Sequence, residues 1–233
     1  MNCHDYTSTV KHMTGGGLTY EQNHEDLPQH PARILLTGPS GCGKSNLLLN
    51  FLFGDSDGNK LNYSRVYYYA KDLSEDMAEF AIRTLKTFER DIGEESGVTA
   101  NIVQYGNNIE DIPKTNDFDP SVQNLLIIDD MVSEKPSAQR CIEDLFIRGR
   151  KRNLTIIYLT QAYAQTPPVI RKNTEYFYTF RFTGANEIDN FAKTHAAGID
   201  PVEFKRKYTE KTDIPYGFML VDKKTTDITK RYR

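Results

Sequence analysis

The stretch RILLTGPSGCGKS, residues 33–45, decides the fold of this chain. Its last eight residues have the spacing G-x-x-x-x-G-K-S: Gly38, Pro39, Ser40, Gly41, Cys42, Gly43, Lys44 and Ser45. The segment 33–37 is short and apolar, as expected of a buried strand. The segment 46–52 is rich in residues that favour helix formation. A strand, a glycine loop and a helix in this order are the context of a P-loop. A glycine-rich turn that matches by chance is the alternative, and the flanking segments argue against it.

A P-loop binds the phosphates of a nucleotide through its backbone. The glycines let the chain curl so that N–H groups face inward, and the helix N-terminus adds partial positive charge there. The Lys44 ammonium can reach the β- and γ-phosphates, and the Ser45 hydroxyl can ligate Mg²⁺. The sequence therefore predicts that residues 38–45 bind a nucleoside triphosphate together with Mg²⁺.

The composition agrees with one large globular domain. The chain has 233 residues, of which 38% are hydrophobic and 26% charged. Its net charge of −3 does not indicate a nucleic-acid binder, although a basic stripe can occur in a slightly acidic chain. No stretch approaches the ~18 apolar residues of a membrane span, and the first residues lack the apolar core of a signal peptide. We therefore expect no contact with a membrane.

Residues 1–30 differ in composition from the rest. They contain three consecutive glycines and four of the five histidines, and they predict a poorly ordered or partner-dependent arm before a P-loop domain at 31–233. The histidine spacing matches no known ligand pattern, so a solvated tail is favoured over a metal site. The cysteines, Cys3, Cys42 and Cys141, also lack metal-ligand spacing and are expected to be free thiols in a reducing compartment.

From residue 31 onward, strand and helix patterns alternate. Apolar, β-branched and aromatic runs predict strands at 65–69, 101–105, 125–128, 154–159, 176–182 and 216–221. Helices are predicted from Ser74, from Ser137 to about Gly149, and after the N-cap Asp200. The first of these helices has one apolar face, made of Met77, Phe80, Ala81, Leu85 and Phe88. The alternation predicts an α/β fold with a mostly parallel sheet and helices on both faces.

Two carboxylates follow the apolar run at 125–128. Ligands of open α/β sheets bind at the carboxyl ends of the strands, so Asp129 is placed to hold Mg²⁺ through water, opposite Ser45. Asp130, one residue further, is placed to orient and activate an attacking water. A pair that only caps the strand is the alternative. A second carboxylate favours hydrolysis of the triphosphate over a GTPase-like switch or a small-molecule kinase.

The next predicted strand ends in Thr160 and Gln161. An amide at this place can bond both the γ-phosphate and the lytic water and so sense hydrolysis. Taken alone, Gln161 would be an ordinary surface glutamine. The order of the three motifs favours the sensor interpretation.

A basic run, Arg148-Gly149-Arg150-Lys151-Arg152, lies between the acidic pair and the sensor strand. It can be a solvated helix end, where cations are favoured by the helix dipole. It can also supply an arginine finger that reaches the γ-phosphate of a neighbouring subunit, since a guanidinium stays charged and binds phosphate in a bidentate way. The remaining cations could contact DNA phosphates.

In this order, the P-loop, the strand with Asp129 and Asp130, the basic run and the Thr160-Gln161 block resemble the FtsK/HerA superfamily. The short single-domain length is similar to that of the genome-packaging ATPases of poxvirus-like large DNA viruses, virophages and Polinton-type elements. The resemblance covers about residues 31–222. It implies a RecA-like (ASCE) P-loop NTPase fold and a ring motor that pushes double-stranded DNA into a preformed capsid.

By this resemblance, Lys44 and Ser45 bind nucleotide and metal, and Asp129 holds the metal. Asp130 takes the place of the catalytic carboxylate, Gln161 that of the sensor and Arg150 that of the finger. A second arginine candidate is Arg171, in the block Ile170–Asn173. Many relatives have glutamate where this chain has Asp130, and aspartate is one methylene shorter.

The sequence thus predicts an ATPase that uses ATP and Mg²⁺ and translocates DNA. The expected partners are double-stranded DNA, further copies of the chain in a pentameric or hexameric ring, and a viral capsid or packaging vertex. The expected location is the infected host cell, in its nucleus or cytoplasm, with the virion as a further location. A replication helicase and a nucleotide-gated capsid assembly protein are the alternative functions. Residues 106–123 are either a loop that grips DNA or an ordinary surface connection.

Overall fold

The computed structural model describes residues 22–96, 101–131 and 136–233. These described residues form seven strands: β1 (Arg33–Thr37), β2 (Arg65–Ala70), β3 (Val103–Gly106), β4 (Asn124–Asp129), β5 (Leu154–Thr160), β6 (Tyr176–Phe180) and β7 (Phe218–Asp222). The α-helices are α1 (Lys44–Phe53), α2 (Asp76–Ser96), α3 (Pro136–Arg148), α4 (Pro168–Asn173), α5 (Ala185–His195), α6 (Pro201–Thr212) and α7 (Ile228–Arg231). The predicted helices and strands are thereby found within a few residues, and α4, α5 and α7 are additional.

The seven strands form one sheet in the order β3-β2-β4-β5-β1-β6-β7. All neighbouring strands are parallel except β6 and β7, which form an antiparallel pair. The strand β5 therefore lies between the P-loop strand β1 and the strand β4 that ends in the acidic pair. The predicted α/β fold with a mostly parallel sheet is confirmed.

Each face of the sheet carries its own apolar core. Alternate residues of the central strands, such as Ile34 and Leu35, point to opposite faces and are fully buried. One core receives Leu48 and Phe51 from α1 together with residues of α2. The other receives residues of α3, α4, α5 and α6. Strands covered on both faces explain the continuous apolar runs in the sequence.

The apolar face predicted for α2 is only partly correct. Ala81 and Leu85 are fully buried, but Met77, Phe80 and Phe88 are 44%, 54% and 43% exposed. The helix packs on the sheet through a neighbouring stripe that includes Ala78 and Ile82. The small residues of this stripe bring the helix close, so the large side chains beside it remain at the surface.

Residues 22–30, which the sequence placed in the arm, pack on the domain. The buried His30 ring lies 2.7 Å from Asn153 Oδ1 through Nε2 and 2.8 Å from Thr155 Oγ1 through Nδ1. The backbone N–H of Asn62 donates to the side chain of Asn23 at 2.6 Å. Residues 22–30 therefore belong to the packed unit in this structure, and the rest of the arm predicted at 1–30, residues 1–21, lies outside the described residues.

Local signals set several boundaries as expected. The Asp200 carboxylate accepts a hydrogen bond from the N–H of Val202 at 2.8 Å, which caps α6. Residues 106–123 contain two short 3-10 helices, Ile109–Asp111 and Thr115–Asp117.

Cys42 and Cys141 are free, and Cys3 lies outside the described residues. None of the helices in the described part of the chain combines the length and apolar character that a membrane crossing needs.

We expect acid to destabilise the fold through His195. This ring is buried, its Nε2 lies 2.7 Å from the Tyr163 hydroxyl, and burial together with the nearby Lys223 and Arg171 lowers its pKa to about 3. Below pH 6.5 the His195 ring binds a proton in the unfolded chain but stays neutral in the folded chain. The free energy of unfolding therefore falls as the pH drops from 6.5 toward 3. Between pH 6.5 and 5 this amounts to about 2 kcal/mol.

Urea unfolding at pH 7 and pH 5 measures this effect. His195→Gln keeps a polar partner for the Tyr163 hydroxyl but does not titrate, so it should lose less stability than the parent over the same interval. The buried His30, whose pKa is also lowered by burial, remains in both proteins and serves as the internal reference. Equal losses in parent and variant would exclude His195 as the source.

Candidate functional site

Three polar segments meet at the carboxyl edge of the sheet. The P-loop follows β1, Asp129 ends β4 and is followed by Asp130, and Gln161 follows β5, which lies between the other two strands. Backbone bonds tie the segments together, since Gly38 N donates to Thr160 O and Asp130 N donates to Leu159 O, each at 3.3 Å. The parallel register thus brings the three predicted motifs to one place.

They line a common cavity of about 460 Å³. Its walls include Lys44 and Ser45 from the P-loop side, Asp129 and Asp130 opposite them, and Gln161 between. This volume lies in the range that small-molecule sites in proteins usually have. The cavity places cationic and hydroxyl groups on one wall and carboxylates on the other.

Lys44 is buried at the base of the loop. Its Nζ donates hydrogen bonds to the carbonyl oxygens of Gly38 at 2.7 Å and of Pro39 at 2.8 Å. Cys42 Sγ lies beside the same ammonium at 3.9 Å, and burial raises the pKa of this thiol. The ammonium is thereby held inside the curve of the loop, where an anionic ligand would meet it.

Two glycines of the loop are needed for steric reasons. A Cβ on Gly38 would lie 2.6 Å from the Cβ of Phe180 on β6, which no real side chain allows. Gly43 has a φ of +111°, and a Cβ there would lie 3.1 Å from the ring of Tyr216. The loop is therefore packed between β6 and the segment that leads into β7.

Asp129 is the most electrostatically strained group of the cavity. Its pKa is raised to about 6, chiefly by burial and then by the carboxylates of Glu75 and Asp130, against the opposing effects of Lys44 and of a hydrogen bond from the Tyr68 hydroxyl. A carboxylate that is crowded by like charges gains most from a bound cation. This environment fits a metal ligand better than a structural strand cap.

Asp130 adopts an unusual backbone conformation, with a φ of +52°. Aspartate tolerates this left-handed region better than most residues. Its Oδ2 accepts a hydrogen bond from Gln161 Nε2 at 3.1 Å. The structure therefore places the two side chains in direct contact, with the amide oxygen of Gln161 left to meet a ligand.

Four residues of this cavity lie outside the predicted motifs: Asn46, Glu75, Met77 and Tyr216. Glu75, from the connection after β2, adds a third carboxylate, and Met77 and Tyr216 add apolar surface. The sequence indicates for Glu75 only a place in the helix predicted from Ser74. The position of β2 beside β4 in the sheet brings it to the site, and no spacing in the sequence could have indicated that neighbour.

The donor set fits Mg²⁺ held together with a ligand's phosphates. The described residues contain no group of three or more histidine, cysteine or carboxylate side chains placed to hold a metal ion alone. Mg²⁺ is commonly bound by one or two protein oxygens plus phosphate oxygens and water. Ser45 and Asp129 would supply those protein oxygens here, the second through its crowded carboxylate.

Arg150 lies far from this cavity in the same chain. It belongs to the 3-10 helix Gly149–Arg152 before β5, whereas Gln161 follows β5, so about 20 Å of strand separates them. Its guanidinium is 52% exposed and lies 3.8 Å from the Glu175 carboxylate, which pairs more closely with Arg33 at 3.0 Å. Arg148 instead pairs with Asp144 at 3.0 Å.

Arg171, the second arginine candidate, also lies at the amino edge of the sheet. It is on α4, before β6, and its guanidinium lies over the ring of Tyr163 at 5.1 Å. Together with Lys223 and Arg231 it lines a separate cavity of about 440 Å³. Neither arginine therefore belongs to the nucleotide-sized cavity of its own chain.

The amino-acid sequence of this chain matches a known protein family. The family model described as poxvirus A32 protein matches residues 20–200, most of the chain. The chain belongs to this family. The match includes the P-loop, the acidic pair and Gln161, and it confirms the resemblance that the motifs predicted.

Curated relatives of the chain come from large DNA viruses. The DNA packaging protein OPG160 of vaccinia virus (strain Copenhagen) is 27% identical over 186 residues, which cover 79% of this chain and 64% of that protein. The protein of the same name from variola virus is 28% identical over 184 residues, or 78% and 63% of the two chains. The chain thus spans less than two thirds of the length of these relatives.

Solved structures show the same fold. The genome packaging NTPase B204 of Sulfolobus turreted icosahedral virus 2, in complex with sulfate, aligns with a TM-score of 0.56 and 17% identity over 87% of this chain and 95% of its own. The same NTPase in complex with ATP-gammaS aligns with a TM-score of 0.52 and 19% identity over 87% and 96%. At such identities the likeness concerns the fold, which is that of RecA-like P-loop proteins.

Proposed function

We propose that this protein is an ATP-hydrolysing motor that translocates double-stranded DNA during viral genome packaging. The observation that carries the proposal is the meeting of the P-loop, Asp129, Asp130 and Gln161 in one cavity of a member of the poxvirus A32 protein family. The names of the vaccinia and variola relatives supply the packaging role.

In this proposal the P-loop amides and Lys44 bind the phosphates of ATP, and Ser45 and Asp129 hold Mg²⁺. When bound, Mg²⁺ supplies positive charge to the β- and γ-phosphate oxygens. Asp130 accepts a proton from the water that attacks the γ-phosphorus. The bond between the γ-phosphorus and the β,γ-bridging oxygen breaks, and ADP leaves with that oxygen on its β-phosphate. Gln161, hydrogen-bonded to Asp130, orients that water through its amide.

The site is completed by a second copy of the chain. Arg150 cannot reach its own cavity, because β5 separates them, but its exposed guanidinium can reach a cavity that a neighbour presents in a ring. A guanidinium there stabilises the charge on the transferred phosphoryl group. We therefore propose a homo-oligomeric ring, a pentamer or hexamer, that acts on DNA at the capsid vertex in the infected cell.

We expect ATP turnover to rise when duplex DNA is added, and to rise more steeply than linearly with protein concentration. The first effect follows if DNA engages the ring, and the second follows because an isolated subunit lacks the arginine of its neighbour. Phosphate release is measured over a dilution series, with and without linear duplex DNA.

The alternatives give different results in the same assay. A nucleotide-gated assembly protein turns ATP over slowly and does not respond to DNA. A helicase responds to single strands and separates duplexes with a single-stranded tail. Turnover that is linear in protein down to nanomolar levels, with no response to DNA, would rule out the motor proposed here.

A further inference from the structure

A tyrosine ring stands exposed at the mouth of the P-loop. Tyr216 is 68% exposed. Its ring nevertheless packs beside Gly43, because a Cβ added at Gly43 would lie 3.1 Å from a ring carbon of Tyr216. The ring borders the cavity of the P-loop on one side and a second cavity of about 760 Å³ on the other. An apolar ring at this junction is shared by both cavities.

The backbone holds this ring in place against local preference. Gly217 N donates to Ile214 O at 2.9 Å, which closes a four-residue turn, with Pro215 in its second position. Tyr216 occupies the third position with a φ of +59°. Proline followed by a positive φ is the pattern of a type II turn, whose third position favours glycine or asparagine because a Cβ is crowded there.

The turn is clamped on both sides. A Cβ on Gly217 would lie 2.3 Å from Lys211 O of α6, so the residue after the tyrosine packs directly against the helix and only glycine fits there. Before the turn, the Asp213 carboxylate pairs with Arg181. A bulky residue kept in a strained, fixed and exposed position points to a functional contact rather than to packing.

The second cavity, of about 760 Å³, has room for a nucleotide base. It lies between α1 and the turn, beside the same helix whose N-terminus follows the P-loop. Apolar groups form much of its wall: Leu47, Phe51, Tyr178, Ile214, Pro215 and Phe218. Asn50 and Asn59 add hydrogen-bonding groups to the lining, and Asp26, Asp55, Lys211 and Arg233 add charged groups.

We propose that Tyr216 stacks on the base of the nucleotide whose phosphates the P-loop binds, and that the base enters the cavity between α1 and the turn. This inference rests on nucleotide binding as proposed above. Stacking on an aromatic ring is tolerant of base identity, so the contact adds affinity for any nucleotide with a base of suitable size. It adds nothing for a ligand that has phosphates alone.

Calorimetric titration with ATP and with inorganic tripolyphosphate, each with Mg²⁺, tests the proposal. Tyr216→Gly removes the ring and suits the turn, so the variant should fold. We expect its affinity for ATP to fall roughly tenfold or more, and its affinity for tripolyphosphate to stay that of the parent. Tyr216→Phe keeps the ring and should keep the affinity for ATP. Tyr105→Ala, at an exposed tyrosine on the far edge strand β3, is the matched control.

A fluorescent reporter gives an independent measurement. The chain contains no tryptophan, so Tyr216→Trp introduces a single one at the proposed contact. ATP should quench its emission, and tripolyphosphate should not.

Three other results would overturn the proposal. Unchanged ATP affinity in Tyr216→Gly would mean that the ring does not stack on the base. Equal losses for ATP and tripolyphosphate would show that the ring only supports the P-loop. A parent protein that binds neither ligand would refute nucleotide binding itself, and the stacking contact with it.

Discussion

Replacing Lys44 with alanine should abolish ATP turnover and most of the affinity for ATP. The ammonium is the one cationic group that the P-loop directs into its own curve, where it donates to the carbonyls of Gly38 and Pro39. Charge-assisted hydrogen bonds to phosphate in a partly buried site are strong, and their loss should weaken ATP binding by roughly 100-fold. Turnover should fall to background, because the same group stabilises the charge that develops on the γ-phosphate.

Fluorescent-nucleotide titration and phosphate release measure the two effects separately. Lys60→Ala removes an exposed lysine just after α1 and serves as the matched control, with no change expected in either assay. Thermal unfolding without nucleotide should show that Lys44→Ala is folded. A folded Lys44→Ala protein that turns ATP over near the parental rate would place the reaction at another site.

Arg150→Ala should lower turnover by about 10³-fold while leaving ATP binding intact. The guanidinium belongs to the amino edge of the sheet and cannot touch the nucleotide of its own chain, so binding does not need it. Removing it should not disturb the fold, because Glu175 keeps its closer partner Arg33 at 3.0 Å. A role for Arg150 in general surface charge predicts a small loss that salt diminishes.

Lys151→Ala is the matched control for this prediction. It removes the same charge from the same basic run, at an exposed neighbouring residue, but offers no bidentate group for phosphate. We expect it to retain most of the turnover. If both variants lose activity to the same small extent, the finger must be sought at Arg148 or Arg171.

The centre of the candidate site could be predicted from sequence for a simple physical reason. Each of its three motifs directly follows an apolar run, and parallel strands bring their carboxyl ends to one edge of a sheet. The P-loop, Asp129 and Gln161 were therefore expected at the same edge once the strands were recognised, and the strand order β4-β5-β1 makes them neighbours. Their local context fixes both the backbone path and the direction of the side chains.

The remaining features depend on contacts between distant segments. Glu75 enters the cavity because β2 lies beside β4, and Tyr216 reaches Gly43 because β7 reverses direction beside β6. His30 is held by Asn153 and Thr155, more than a hundred residues away, and polar composition alone could not indicate these contacts. Periodicity also could not show that Phe80 and Phe88 lie beside the buried stripe of α2 rather than on it.

The central claim, that ATP is hydrolysed between subunits of a ring, is tested most directly by mixing two inactive variants. Asp130→Asn is expected to bind ATP without hydrolysing it, and Arg150→Ala to lack the arginine that a neighbour needs. In mixed rings, some interfaces combine an intact Asp130 with an intact Arg150, so phosphate release should return to a clear fraction of the parental rate. If the subunits exchange and no activity returns at any mixing ratio, hydrolysis does not depend on these two groups acting across an interface.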